Sequence, residues 1–202
     1  MTSIITARAG EHGLGAPLLD SMYRLRREVF HDRLQWAVRV ENGREHDWFD
    51  LIGPHYVVAH DGASTVLGCC RLLPTLGPNM LRDVFPYLLD GAAMPSSPTT
   101  WEISRFAMDS RLTDSRYGFG SIPRELILQT LSFANVHGIA SLVGVTTLSI
   151  ERLLLHMGLR IERLGTVRRI GNAKSLAFHV RVAENLRALG GCAGATEAAR
   201  AA

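Results

Sequence analysis

The chain has only three cysteines, Cys69, Cys70 and Cys192, and no Cys-x-x-Cys pair, so neither a zinc knuckle nor a thioredoxin-like motif is available. Cys69 and Cys70 are neighbours in a strand-like stretch. Adjacent strand residues point to opposite faces, which excludes a structural disulfide between them. Long apolar runs are also missing: Ala140–Val145 and Leu153–Leu155 are far too short to span a bilayer. Met1 to Gly10 lacks the basic start and apolar stretch of a secretory signal, so a cytoplasmic location is expected. Charge of one sign is scarce. A formal net charge of +3 falls short of what a nucleic-acid binder carries, and neither nucleic acid nor membrane is expected as a partner. There is no internal repeat and no low-complexity segment outside the Ala-rich tail.

What is present suits one globular domain spanning 1–202, since 202 residues that are 47% hydrophobic bury a substantial core. The tail 186–202 has little to pack and is expected to fray. Ser3–Ala7 reads as a first strand. Leu14 to Phe30 carries Leu18, Leu19, Met22, Leu25 and Val29 at helical spacing. From His31 to Asp50 the periodicity fails and charges crowd together, which marks a long loop with work to do. Tyr56–Ala59 and Val66–Leu73 read as a hairpin about Asp61-Gly62. A short helix near Met80–Leu89 follows, then a strand at Thr100–Met108. A helix from Ser121 to about His137, a strand at Ala140–Thr147, a helix at Ser149–Met157 and strands at Leu159–Leu164 and Leu176–Val182 complete the order. A meander followed by alternating strands and helices predicts an α/β (α+β) fold, a three-layer αβα sandwich with a mixed sheet.

Three groups of residues stand out chemically. In a strand over Trp101–Phe106, Glu102, Ser104 and Phe106 share one face and Trp101, Ile103 and Arg105 the other. Glu102 and Ser104 then form a site wall of base and hydrogen-bonding group. Arg105 on the opposite face needs an anion, and Glu45-x-Asp47-x-x-Asp50 offers three candidates. Between Arg152 and Lys174 there are six cations, opposed only by Glu162 and the adjacent Glu151, a local basic face suited to an acidic partner or a phosphate. Glu45-His46-Asp47 is a poor metal site, because three adjacent loop residues do not converge on one ion; no metal is expected.

Taken together, several segments resemble the LuxI-type acyl-homoserine lactone synthases, the autoinducer synthases of bacterial quorum sensing. They are Arg26-x-x-Val29-Phe30 with Arg33-Leu34-x-Trp36; Glu45-x-Asp47-x-x-Asp50; Gly68-x-x-Arg71-Leu72-Leu73-Pro74-Thr75; Pro78-x-Met80-Leu81 with Phe85; and Trp101-Glu102-x-Ser104-Arg105-Phe106. They occur in the family's order across roughly residues 20 to 165.

The resemblance implies a splayed mixed sheet similar to the GNAT acyltransferase fold and two substrates, S-adenosylmethionine and an acyl thioester. The thioester is usually carried on acyl carrier protein, with CoA as the other carrier. S-adenosylmethionine is then a substrate, and no cofactor is implied. Arg26, Phe30, Trp36, Asp47, Asp50, Arg71, Glu102 and Arg105 match the family's shared positions. Glu102 takes the role of base toward the substrate's ammonium group, and Ser104 that of oxyanion donor. Arg26 or Arg71 is expected to clamp the substrate carboxylate, Phe30 and Trp36 to pack on the adenine or the sulfonium, and Arg105 with Asp47 and Asp50 to hold the N-terminal loop closed. The acyl tail is expected among Leu142, Thr146, Thr147 and Leu154, and carrier-protein docking at Arg152, Arg163 and Arg168. A plain GNAT-type N-acetyltransferase using acetyl-CoA is the alternative, since Ser115-Arg116-Tyr117-Gly118-Phe119-Gly120 resembles that family's pyrophosphate loop with Ser115 out of pattern. An interaction module working through the basic face alone would leave Glu102 without a task.

Overall fold

The computed structural model describes residues 2–11, 13–113 and 121–198. In chain order its elements are β1 (Ser3–Ala7), α1 (Ala16–Arg26), β2 (Val40–Glu41), β3 (Arg44–Glu45), β4 (His55–His60), β5 (Val66–Pro74), α2 (Met80–Asp83), β6 (Thr100–Met108), α3 (Ser110–Thr113), α4 (Ser121–Val136), β7 (Ser141–Thr147), α5 (Leu148–His156), β8 (Glu162–Arg163), β9 (Arg168–Ile170), β10 (Ala173–Arg181) and α6 (Val182–Ala198). One sheet runs β1-β4-β5-β6-β7-β10-β8, with β9 also on β10, and β2 and β3 form a separate ribbon. All neighbours in the large sheet are antiparallel except β6 and β7.

The layers follow from where apolar side chains fall. In α1, with Pro17 in its first turn, Leu18, Met22 and Leu25 recur at helical spacing and are buried on one face of the sheet. In α4, Leu126, Ile127, Leu131 and Ala134 do the same on the opposite face, joined by Leu189 of α6. Each such leucine or isoleucine contributes about 1.5–3 kcal/mol when fully buried. With both faces covered, β4 and β5 read as continuous apolar runs, and Cys69 and Cys70 fall into opposite cores as free thiols. Burial pushes both thiols up to about 12. Among the described residues no helix is long and apolar enough to cross a membrane.

Three expectations change. The helix of Leu14 to Phe30 ends at Arg26 and passes into a π-helical turn, Arg27–Arg33, which buries Val29 and Phe30. The 31–50 segment is not featureless, since it contains β2, β3 and a 3₁₀ turn at Trp48–Asp50. The tail does not fray from Leu186, because α6 continues to Ala198 and packs Leu186 and Leu189 into the core beside α4. Helical spacing of those two leucines is enough to dock the segment.

The sheet opens where the site lies. β6 and β7 pair in parallel only from Thr100↔Ser141 to Ile103↔Gly144, after which β6 follows β5 and β7 follows β10. At the apex, a Cβ on Gly144 would sit 2.3 Å from the Ile103 carbonyl oxygen, so the close approach of the two strands requires glycine.

Candidate active site

The cleft between the splayed strands is a cavity of about 650 Å³, lined by Glu102, Ser104 and Arg105 of β6, by Val145, Thr146 and Thr147 of β7, and by Phe30 and Trp36 from the N-terminal segment. A narrow apolar branch of about 60 Å³ continues from it between the sheet and α4, among Leu142, Leu154, Ile127, Leu131 and Phe178. Ser104, Phe106, Val145, Thr146 and Ile150 line both, so the two spaces meet at the open strand ends.

The alternation over Trp101–Phe106 breaks at Arg105. Between the pairs Arg71↔Ser104 and Cys69↔Ala107, one residue of β5 faces two of β6, a β-bulge, and Arg105 takes φ 53°. The bulge shifts the parity of every later side chain. Arg105 therefore joins Glu102 on the N-terminal face, with its guanidinium carbon 5.2 Å from the Phe30 ring centroid. Phe106 turns into the opposite core. Both placements reverse the simple strand reading.

Arg105 belongs to a closed ring of alternating charge. Arg26 donates to Glu45 at 2.6 Å and through both terminal nitrogens to Asp50 at 2.9 Å. Arg71 donates to Asp50 at 2.7 Å and Asp47 at 2.6 Å. Arg105 donates to Asp47 at 2.8 Å and Glu45 at 2.7 Å, which returns the circuit to Arg26. Tyr56 adds a 2.7 Å donation to Asp50, and the Met80 sulfur accepts from Arg71 and Arg105. Three cations and three anions balance, so burial leaves no uncompensated charge. Burial pushes Glu45 upward, but Arg26 and Arg105 outweigh it and hold the carboxyl below its ordinary value. Asp50 is driven lower still against the same burial by Arg26 and Arg71. Burial, then Asp50, pushes the Tyr56 phenol well above its ordinary value. Arg26 and Arg71 are both buried, line neither of these two spaces, and face this chain's own carboxylates. Arg26 and Arg71, one of which the sequence expects to clamp a substrate carboxylate, here face carboxylates of this chain.

Glu102 stands outside the ring. Its carboxylate accepts from the backbone N–H groups of Met80 at 3.0 Å and Leu81 at 2.6 Å, at the start of α2, and is almost wholly buried. Burial raises its pKa above the ordinary glutamate value, while the two amides pull the other way. Ser104 accepts from Arg71 Nε at 3.2 Å, which fixes its oxygen and leaves its proton free to donate. Phe30, Trp36 and Phe85 form an aromatic wall with centroid spacings of 5.4 and 5.6 Å. The Trp36 indole N–H is buried with no partner.

The basic face divides. Arg163 is held by Glu151 at 2.6 Å and Arg168 by Asp90 at 2.7 Å, so neither is a free cation. Arg152 lines the cavity mouth with Arg33 and Lys174, a convergence that the sequence does not show because no periodic pattern joins residues so far apart. Thr147 caps α5 by accepting from Ile150 N–H at 3.3 Å, and Thr146 lines both spaces. His46 turns away from the ring toward Tyr23, 6.1 Å between ring centroids. The Ser115–Gly120 segment lies outside the described residues.

Comparison with known proteins agrees with this architecture. The family model for autoinducer synthase matches residues 14–188. The acyl-homoserine-lactone synthase of Pseudomonas aeruginosa is 35% identical over 167 residues, covering 82% of this chain and 83% of that protein. The crystal structure of the AHL synthase LasI superposes with a TM-score of 0.84 at 34% identity, over 95% of both chains. A CoA-dependent acyl-homoserine lactone synthase, BjaI, solved with SAM and isopentyl-CoA, superposes with a TM-score of 0.82 at 27% identity, over 96% of this chain and 90% of that one. With its splayed mixed sheet and this extent of match, the chain belongs to the autoinducer synthase family, the acyl-homoserine-lactone synthases.

Proposed function

We propose that the protein makes an N-acyl-L-homoserine lactone from S-adenosylmethionine and an acyl thioester, releasing a thiol and methylthioadenosine. The observation that carries this reading is the junction of an aromatic-walled cavity, into which Glu102, Ser104 and Arg105 also face, with an apolar branch at the open ends of β6 and β7. The aromatic wall with the few charged and hydroxyl groups beside it suits a charged nucleoside-bearing substrate, and the branch suits an acyl tail passing Thr146 toward Leu142 and Leu154.

The first step is acyl transfer. The substrate's ammonium group loses a proton to Glu102, directly or through one water. The amine then attacks the thioester carbonyl, and the tetrahedral intermediate expels the thiol, which leaves with a proton. Ser104 supplies a donor for the oxyanion. A raised pKa makes Glu102 a stronger base than an exposed glutamate. In the second step the substrate carboxylate attacks the carbon bearing the sulfonium and displaces methylthioadenosine. That step needs orientation more than chemistry, because a sulfonium is already a good leaving group. Phe30 and Trp36 hold the cation and the adenine against the wall. Arg26, Arg71 and Arg105, with Glu45, Asp47 and Asp50, order the loop behind that wall.

For the acyl donor we favour acyl carrier protein, with CoA as the second carrier. Arg152 at the cavity mouth, with Arg33 and Lys174 beside it, suits the phosphate of a pantetheine arm and an acidic carrier surface. Arg163 and Arg168 contribute less, being neutralised by Glu151 and Asp90. The test is incubation of the protein with S-adenosylmethionine and a panel of carrier-protein and CoA thioesters, with mass spectrometry for methylthioadenosine and acyl lactone. A plain acetyltransferase gives no methylthioadenosine, and its absence across the panel would sink the reading.

A further inference from the structure

The roof of the main cavity is closed by a contact between two segments far apart in sequence. The turn between β9 and β10 carries Gly171 and Asn172, and it lies against the end of the π-helical turn at Arg33–Gln35. Asn172 donates from its backbone N–H to the Leu34 carbonyl at 3.1 Å and from its side-chain Nδ2 to the Arg33 carbonyl at 2.7 Å. These are carbonyls that the end of a helix leaves without intrahelical partners. Gly171, at φ 57°, passes so close that a Cβ there would sit 2.3 Å from the Leu34 oxygen and 2.5 Å from the Gln35 oxygen. Gln35 itself is left-handed at φ 53°. The chain therefore reverses at Gln35 and brings Trp36 back under Phe30, with the Trp36 N–H donating to the Phe30 carbonyl at 2.9 Å. Both sides of the contact line the same space: Phe30, Arg33 and Trp36 on one side, Asn172 and Lys174 on the other.

We propose that Asn172 is a positioning residue for S-adenosylmethionine. It caps the π-helical turn from across the cavity and so fixes the segment that carries Phe30 and Trp36. The inference rests on the proposed function for the identity of the substrate. Asparagine suits the position because it offers a main-chain and a side-chain donor to two successive carbonyls. Aspartate has the same shape but sets an acceptor against the Arg33 carbonyl, and alanine offers no side-chain donor. Nothing in the Gly171-Asn172 dipeptide alone signals this role, since its partners lie 139 residues away along the chain.

Asn172→Asp and Asn172→Ala are each expected to raise the KM for S-adenosylmethionine about three- to tenfold, the worth of one net hydrogen bond, with kcat at saturation within about twofold of the parent. Amide hydrogen exchange at Leu34, Gln35 and Trp36 is expected to quicken in both variants, while exchange in β4 stays unchanged, which separates a local release from general destabilisation. Unchanged KM in both variants, with or without faster exchange, overturns the proposal. So does a fall in kcat with KM unchanged. If the parent protein releases no methylthioadenosine, the proposed function fails instead. Calorimetric binding of S-adenosylmethionine to the parent and both variants then decides the role of Asn172, with weaker binding in both variants expected and equal binding contradicting it.

Discussion

Glu102 is distinguished from the other buried carboxylates by what it lacks. Glu45 and Asp50 each face two guanidinium groups, whereas Glu102 touches only two backbone amides. Glu45 and Asp50 are therefore held ionised, while burial raises the Glu102 pKa above the ordinary glutamate value. Replacing it with Gln is expected to lower kcat by about 10²–10⁴-fold while S-adenosylmethionine still binds calorimetrically; near-normal turnover would remove Glu102 from the role of base. A base works only when ionised, so activity falls as pH drops through its pKa. Because that pKa is raised, the fall begins at higher pH than an exposed glutamate gives, and a pH profile of kcat/KM checks it. The period-2 alternation that puts Glu102 on the N-terminal face is legible in Trp101–Phe106. The reversal at Arg105 is not, because a bulge depends on the register of β5, and nothing within the six-residue segment encodes that register.

Among the elements, the charge ring is what ties α1, β3, the 3₁₀ turn, β5 and β6 into one unit. Removing one carboxylate leaves the ring with one uncompensated buried positive charge. Glu45→Gln is thus expected to destabilise the fold by about 3–5 kcal/mol, read by denaturant titration. The pH dependence has a definite sign. Glu45 and Asp50 have depressed folded-state pKa values, so their contribution is complete above the ordinary carboxylate range and is lost as pH falls through the depressed values. The protein should stay folded to lower pH than the Glu45→Gln variant. The sequence shows that Arg105 needs an anion and that the acidic loop offers three, but not which pairs form. That depends on three strands and a helix meeting, so no local pattern encodes it. The splay of β6 from β7 gives a second test. Gly144→Ala places a methyl carbon against the Ile103 carbonyl and should cost both stability and acyl transfer. An unaffected variant would mean that the strand apex relaxes freely.

At the scale of the whole molecule, Arg152, Arg33 and Lys174 meet at the mouth of one cavity. The order of elements and the mixed sheet were readable from alternating patterns, and so was the presence of a basic stretch between Arg152 and Lys174. Which of those cations remain available was not readable, since Glu151 and Asp90 neutralise Arg163 and Arg168 only after folding. Arg152→Glu is accordingly expected to raise the KM for a carrier-protein thioester severalfold, an effect that shrinks with added salt, whereas Arg168→Glu should change it less. Equal effects from both would mean that docking follows total charge and not the cavity mouth.

In the proposed function, one cavity couples acyl transfer to lactone closure. The measurement that bears on it most directly is a time course of methylthioadenosine and acyl-homoserine lactone from the same reaction, quantified by mass spectrometry. Equimolar appearance of the two is expected, abolished together by Glu102→Gln. Thioester consumption without methylthioadenosine would contradict it.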